Sequence, residues 1–273
     1  LARAGTWAVR EPGAVRWYLE GNEFDSGAAE GADAVVHLAG ASIAAGRWTA
    51  ARKRELYSSR VDVTRFLIAN LAKLKQPPRV FLSASAIGYY GNRRDEELTE
   101  ESPSGNDFLS GLARDWEAAT SEAERFGARV AMLRFGVILV RHGGALPRMA
   151  LPFRFGVGGR IGSGKQWMSW LTLEEVVGIV RFALTNDSVR GPVNAVTPNP
   201  VTNADFTKTL ARVLHRPALF PAPGFALRLM LGEMAEALLL SSQRVLPRKL
   251  QSLGYDFQAP LLGLALAAIL RTS

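Results

Sequence analysis

Three short apolar runs limit what this chain can fold into. Ala34-Val35-Val36-His37-Leu38-Ala39 is stopped by Gly40, Arg79-Val80-Phe81-Leu82-Ser83 runs into small residues, and residues 129–139 carry Val130, Met132, Leu133, Phe135, Val137, Ile138 and Leu139. Short runs of this kind, apolar without strict alternation and closed by turn residues, read as buried strands. Between them lie helical spacings. Residues 49–74 place Leu56, Val63, Phe66, Leu67, Leu71 and Leu74 at helical intervals until Gln76-Pro77-Pro78 stops them. Residues 108–125 put Leu109, Leu112, Trp116, Ala119 and Ala123 on one stripe, ended by Gly127. Strand–helix–strand units need right-handed crossovers, and so a parallel sheet. Such sheets bind ligands beyond the carboxyl ends of their strands. The ends here are small or polar: Ala39-Gly40-Ala41-Ser42, Ser83-Ala84-Ser85-Ala86 and Gly143-Gly144.

After Gly144 the pattern changes. Residues 150–170 are too glycine-rich for regular structure and too aromatic for a passive linker, with Arg154, Gly156, Gly158, Gly159, Gly162, Gly164, Lys165, Trp167 and Trp170. Thr172-Leu173-Glu174-Glu175 reads as a capping box opening a helix. Residues 191–196 read as a short strand, and Thr202-Asn203-Ala204-Asp205 opens another helix with Phe206 and Leu210 inward. The expected architecture is α/β: a Rossmann-type parallel sheet flanked by helices over residues 1–145, and a smaller, mostly helical substrate-side domain over 146–273 that shares one or two strands with the sheet.

Composition narrows the chemistry. The 273 residues contain no cysteine, which removes disulfides, thiolate catalysis and Cys-ligated metals. The three histidines have no metal-binding spacing, so no metal site is expected, and His37 inside a strand reads as a core residue. The formal charge of +8 favours anionic partners. The basic residues look scattered, which points to a solvated basic surface with neither nucleic acid nor membrane as partner, and a peripheral nucleic-acid or membrane binder driven by the +8 charge is a third reading. Residues 257–270 form the longest late uncharged apolar run, 14 residues including Pro260, short of the ~20 that a spanning helix needs. The numbered chain shows no basic-then-apolar signal-peptide pattern, and a cytoplasmic location is expected.

Several motifs together resemble a known family. They are His37-Leu38-Ala39-Gly40 after the first run, Ala84-Ser85-Ala86-Ile87-Gly88-Tyr89-Tyr90-Gly91 after the second, Pro152-Phe153-Arg154-Phe155-Gly156-Val157-Gly158-Gly159, Gly164-Lys165-Gln166-Trp167-Met168-Ser169-Trp170, Asn194, and Ser242-Gln243-Arg244-Val245-Leu246-Pro247-Arg248-Lys249. The chain resembles the extended short-chain dehydrogenase/reductases, and within them the atypical epimerase-like group once described as cell-division-inhibitor homologues. The resemblance runs essentially end to end, with the 164–170 and 242–249 motifs specific to the subgroup.

The resemblance implies an NADP-dependent, epimerase-like oxidoreductase acting on a small molecule, with NAD as the alternative cofactor and a homodimer left open. It places Leu38, Ala39, Gly40, Ser83 and Ala84 along the cofactor. Arg3 follows the family's second strand, where arginine suits the 2′-phosphate of NADP. Ser85 stands where the family's Ser or Thr meets a substrate oxygen, and Tyr89 or Tyr90 offers a phenol to the same space. Gln166, Trp167, Ser169 and Trp170 fall where extended members close over substrate, with a tryptophan as lid; Arg154 and Lys165 would meet a phosphate or carboxylate. Two departures qualify this. The glycine-rich phosphate loop is not in the numbered chain, and Leu1-Ala2-Arg3 resembles the end of the second strand, so about thirty residues are expected upstream. The catalytic Tyr-x-x-x-Lys is replaced, with Leu109 and Ala113 at its positions. A catalytically silent dinucleotide-binding scaffold or sensor is therefore the second reading, and turnover stays open at this point.

Overall fold

The computed structural model describes residues 2–3, 16–18 and 23–271, with side chains from 24 to 270. Four parallel strands form the main sheet, in the order Gly191–Ala195, Arg129–Phe135, Val80–Ala86, Ala34–His37. Helices cover both faces of the inner strands, as their apolar runs require; the edge strand Ala34–His37 is only partly covered, with Val36 37% exposed. Phe81, Val130 and Met132 face the helix Val63–Leu71 and the 3-10 turn Glu122–Phe126. Leu82, Ala131, Leu133 and Val193 face the helix Leu173–Thr185 and Leu250 of the short helix Arg248–Ser252. The fold is thus α/β, a Rossmann-type parallel sheet between helical layers. The Gly191–Ala195 strand comes from beyond residue 145, so the sheet is built from both parts of the chain.

A second core lies beside the sheet. Trp170 and Phe206 are fully buried in it, among Leu139, Leu146, Phe153, Leu210 and Leu266, where the helices Leu146–Arg154, Asn203–Leu214 and Leu262–Arg271 meet. The 257–270 run is therefore partly a core helix, and among the described residues no helix is long and apolar enough to cross a membrane.

Local structure departs from the sequence reading in four places. The run 129–139 is two strands: Arg129–Phe135 in the main sheet, and Val137–Leu139 paired with Trp170–Thr172. Gly136 makes the switch, since a Cβ there would lie 2.6 Å from the Ser169 carbonyl oxygen. The 49–74 helix contains a π-helical turn, Ser58–Asp62, between Ala50–Tyr57 and Val63–Leu71. The glycine-rich stretch begins inside a regular helix, Leu146–Arg154, which tolerates Pro147 in its first turn and Pro152 near its end. Thr172 caps its helix through the Glu175 N–H at 3.1 Å. The Glu175 carboxylate does not return to the cap: it is fully buried and accepts from the Tyr255 hydroxyl at 2.6 Å and the Gln258 and Ala259 N–H groups. It pins the C-terminal segment to the sheet layer.

Candidate functional site

The register of the sheet sets up the site. Ser85, Arg134 and Asn194 are paired across three adjacent strands, so their side chains emerge in one row near the carboxyl ends. Glu117 reaches this row from the helix Phe108–Ser121. Its carboxylate accepts from the Ser85 hydroxyl at 2.6 Å and from Arg134 Nε and Nη2 at 2.8 and 2.7 Å. Arg134 Nη1 donates to the Tyr90 hydroxyl at 2.8 Å, and Tyr90 donates to Asn194 Oδ1 at 2.6 Å. Asn194 Nδ2 donates to the Leu246 carbonyl. The Arg134 guanidinium also lies 3.5 Å from the centroid of the Tyr89 ring. Every member from Ser85 to Asn194 is buried, and Arg134 is 1% exposed. Glu117 and the Tyr90 phenol raise the Arg134 pKa in spite of burial.

This network reassigns Tyr90. Its hydroxyl is spent on Arg134 and Asn194, and burial pushes its pKa up to about 12. It is a protonated structural phenol at neutral pH and not a base. Ser85 keeps a chemical capacity: its proton points to Glu117, which leaves oxygen lone pairs for a donor on a ligand. Tyr89 is half-buried, with its ring against Arg134.

On the cofactor side, Leu38 is 56% exposed beyond its strand, Ala39 is half-buried and Gly40 is exposed. Ser83 is buried, with its hydroxyl on the Ala84 carbonyl. Arg3 belongs to the two-residue strand Ala2–Arg3; its side chain, and the contact expected of it, lie outside the described residues. A cation that the sequence reading passed over stands here. A Cβ on Gly40 would come within 3.2 Å of the Arg60 guanidinium carbon. Arg60 donates to the Ala41 and Leu56 carbonyls and lies over the Trp116 ring, and its pKa is lowered by burial and by nearby Arg52. The C-terminal part reaches over this edge: Ala237 and Leu238 pack against the same buried cluster, around Leu56, Leu109 and Trp116, as Ala41, Ile43 and Trp48 do, and Lys53 pairs with Glu233 at 2.5 Å.

The substrate-side residues divide. Trp167 is half-buried; its indole N–H donates to Asp95 at 2.9 Å and the Arg244 guanidinium lies 4.6 Å from its ring centroid. Trp170 is 0% exposed and donates to the Asn199 carbonyl from within the second core. It presents no face to a ligand, and the lid position is left to Trp167. Ser169 is fully buried and bridges the Gln243 and Val245 backbone, while the Gln166 carboxamide donates to the Ile161 and Leu239 carbonyls. These two hold the chain in place. Arg154 and Lys165 are exposed. The Ser242–Lys249 motif is a clamp: Ser242 joins Trp167 N–H to the Arg94 carbonyl, Gln243 reaches Gly91, Arg244 pairs with Glu97, and Lys249 Nζ takes the Arg190 and Pro192 carbonyls. It draws the 167–170 stretch against the loop that follows Tyr90.

Residues 23–195 match the NAD dependent epimerase/dehydratase family, and residues 222–269 match a domain of unknown function, DUF1731. The chain belongs to the NAD-dependent epimerase/dehydratase family. The epimerase family protein ML0860 of Mycobacterium leprae is 41% identical over 253 residues, 93% of this chain and 82% of the relative. The chloroplastic SDR39U1 homologue of Arabidopsis thaliana is 40% identical over 244 residues, 89% of this chain and 70% of that protein. The crystal structure of human epimerase family protein SDR39U1 (isoform 2) with NADPH superposes with a TM-score of 0.87 at 35% identity, covering 97% of this chain and 90% of that one. Against the family resemblance, this epimerase-family chain has Leu109 and Ala113, both buried, where tyrosine and lysine are expected. Leu109 lies against Gly88, at 3.4 Å from where a Cβ of that glycine would sit. Besides Arg60, the polar groups not evident from the sequence are Glu117 and Arg134. A charged residue on the inward stripe of a helix, and another inside an apolar strand, were the available signals.

Proposed function

We infer that this protein binds NADP(H) and works as an epimerase-like oxidoreductase on a small molecule held at the carboxyl ends of the sheet. The observation that carries the reading is the end-to-end likeness to a human protein solved with NADPH. The residues present fit an anionic dinucleotide. Leu38 and Gly40 are exposed at the strand end, and Arg60 brings a cation, bonded to the Ala41 and Leu56 carbonyl oxygens, to the same loop. Leu38, Ala39, Gly40 and Ala84 would line the cofactor, and Arg60 would supply positive charge. The nicotinamide, when bound, supplies hydride transfer.

This chain's own groups do the rest. Ser85 accepts a hydrogen bond from the substrate, oriented by Glu117. Arg134 fixes Glu117 and the Tyr89 ring, and Trp167, on the clamped stretch, covers the substrate. Tyr90 and Leu109 contribute no proton. The reaction therefore suits a substrate hydroxyl that donates a hydrogen bond to Ser85 and needs no strong base.

The second reading, a silent NADP-binding scaffold, is favoured by Leu109 and Ala113 in place of the catalytic pair. Two measurements on the full-length protein separate them. Calorimetric titration should give tighter binding for NADPH than for NADH; equal affinities overturn the NADP assignment. Loss of the reduced-nicotinamide absorbance with a panel of sugar-nucleotide and small carbonyl substrates supports the enzyme. NADPH binding with no turnover across the panel supports the scaffold.

A further inference from the structure

Charge is unevenly placed on this chain. Residues 141–173 and 206–232 hold nine Lys or Arg and no Asp or Glu, a sum of 9 − 0 = +9. The remainder has 24 basic and 25 acidic residues, 24 − 25 = −1, which together give the formal +8. All nine cations are exposed. Viewed as basic residues alone they look scattered. The lack of any acid among them is what sets these stretches apart.

The fold lays the two stretches side by side. Phe220 N–H donates to the Gly158 carbonyl at 3.1 Å, Ala222 N–H to Arg160 at 2.9 Å, and Gly162 N–H to Ala222 at 2.8 Å. Apolar surface lies among the cations. Of the fourteen exposed large hydrophobic residues among those described, eight fall within 151–157 and 219–230. Phe155, Phe225 and Leu229 are 75%, 73% and 79% exposed. The helix Gly224–Leu231 buries none of its residues, and Phe225 and Leu229, one turn apart, share a face. A cluster of this kind marks an interaction surface.

We propose that this face docks on an anionic lipid surface. Phe155, Phe225 and Leu229 enter the boundary between headgroups and acyl chains, and Arg154, Arg160 and Arg216 meet lipid phosphates, while Arg228 is held by Glu236 at 2.8 Å. The chemistry separates this partner from the others. A second copy would bring the same cations against one another, because a two-fold contact opposes like patches. Nucleic acid would use the cations but gain little from exposed leucine and methionine side chains.

The test is co-sedimentation of the whole chain with vesicles of phosphatidylcholine, with and without phosphatidylserine. Partition should be at least ~tenfold stronger with phosphatidylserine and fall away at high salt. The double variant Phe225→Ser, Leu229→Ser should lose about tenfold or more in partition while keeping its melting temperature, because neither side chain is buried. Arg154→Gln with Arg216→Gln should weaken binding to the anionic vesicles only. Equal partition of both variants with the unmutated chain, or no dependence on phosphatidylserine, overturns the proposal. So does tighter binding to single-stranded DNA than to the vesicles, or a dimer in sedimentation that the Phe225/Leu229 variant dissociates.

Discussion

Glutamine at position 117 removes one charge from the centre of the buried network and keeps its shape. In the unmutated chain the Glu117 carboxylate takes three hydrogen bonds, one from Ser85 and two from Arg134. Glutamine has a single oxygen, and its amide nitrogen would face a donor on Ser85 or on the guanidinium. Arg134, at 1% exposed, would remain as a buried cation supported by the Tyr90 hydroxyl and the Tyr89 ring. Breaking a buried pair from one side costs ~3–5 kcal/mol. Chains of this size move ~2–4 °C per kcal/mol, so the melting midpoint of Glu117→Gln should fall by roughly 6–20 °C. Removing both partners, as Glu117→Leu with Arg134→Met, takes the stranded charge away. It leaves Tyr90 without its donor but still bonded to Asn194, so most of the loss should return, short by ~1–3 kcal/mol. Urea unfolding of the parent, the two single variants and the pair, followed by circular dichroism, measures this. A Glu117→Gln cost below ~1 kcal/mol, or a double variant no more stable than the single ones, refutes the view that the charges are held by one another.

Other outcomes follow from single residues. Burial pushes the His37 imidazole down to about 4 from 6.5, so the unfolded chain binds the proton more readily; stability is intact above about pH 6.5 and is lost as pH falls toward 4. The full loss is about 3 kcal/mol, and His37→Gln should flatten stability against pH in that window; an unchanged slope sinks the assignment. Trp170→Ala should cost ~3–5 kcal/mol by emptying a core position, while Trp167→Ala costs far less stability and weakens ligand binding; comparable melting temperatures for the two would contradict it. Gly136→Ala forces a Cβ to 2.6 Å from the Ser169 carbonyl, and should lower stability by at least ~2 kcal/mol, which thermal unfolding reads directly. Ser85→Ala leaves Glu117 its two bonds to Arg134, so it should lose ~1 kcal/mol or so of stability and proportionally more ligand affinity, a split visible by pairing calorimetry with melting.

The parallel sheet was legible in the sequence because strands covered on both faces are apolar over most of their length. The runs around Val36, Leu82 and Leu133 could pair in few other ways once helices were placed between them. Thr172 and Thr202 announced their helices for a similarly local reason: a capping hydroxyl acts within three residues. The family motifs located the strand ends and the 164–170 stretch. What each side chain does there was not local. Ser85, Arg134 and Asn194 are 49 and 60 residues apart in the chain and meet only through strand register, which no spacing encodes. Trp167 and Trp170 look alike in sequence, and the switch of the chain at Gly136 decides which one is buried. Tyr90 reads as a candidate acid–base until Arg134 and Asn194, distant in sequence, take its hydroxyl. Composition could count the charges, but only the hydrogen bonds between residues 158–162 and 220–222 show that two acid-free stretches share one face. Local chemistry fixes elements and caps, whereas roles that depend on burial and on partners far along the chain exist only once the sheet has closed.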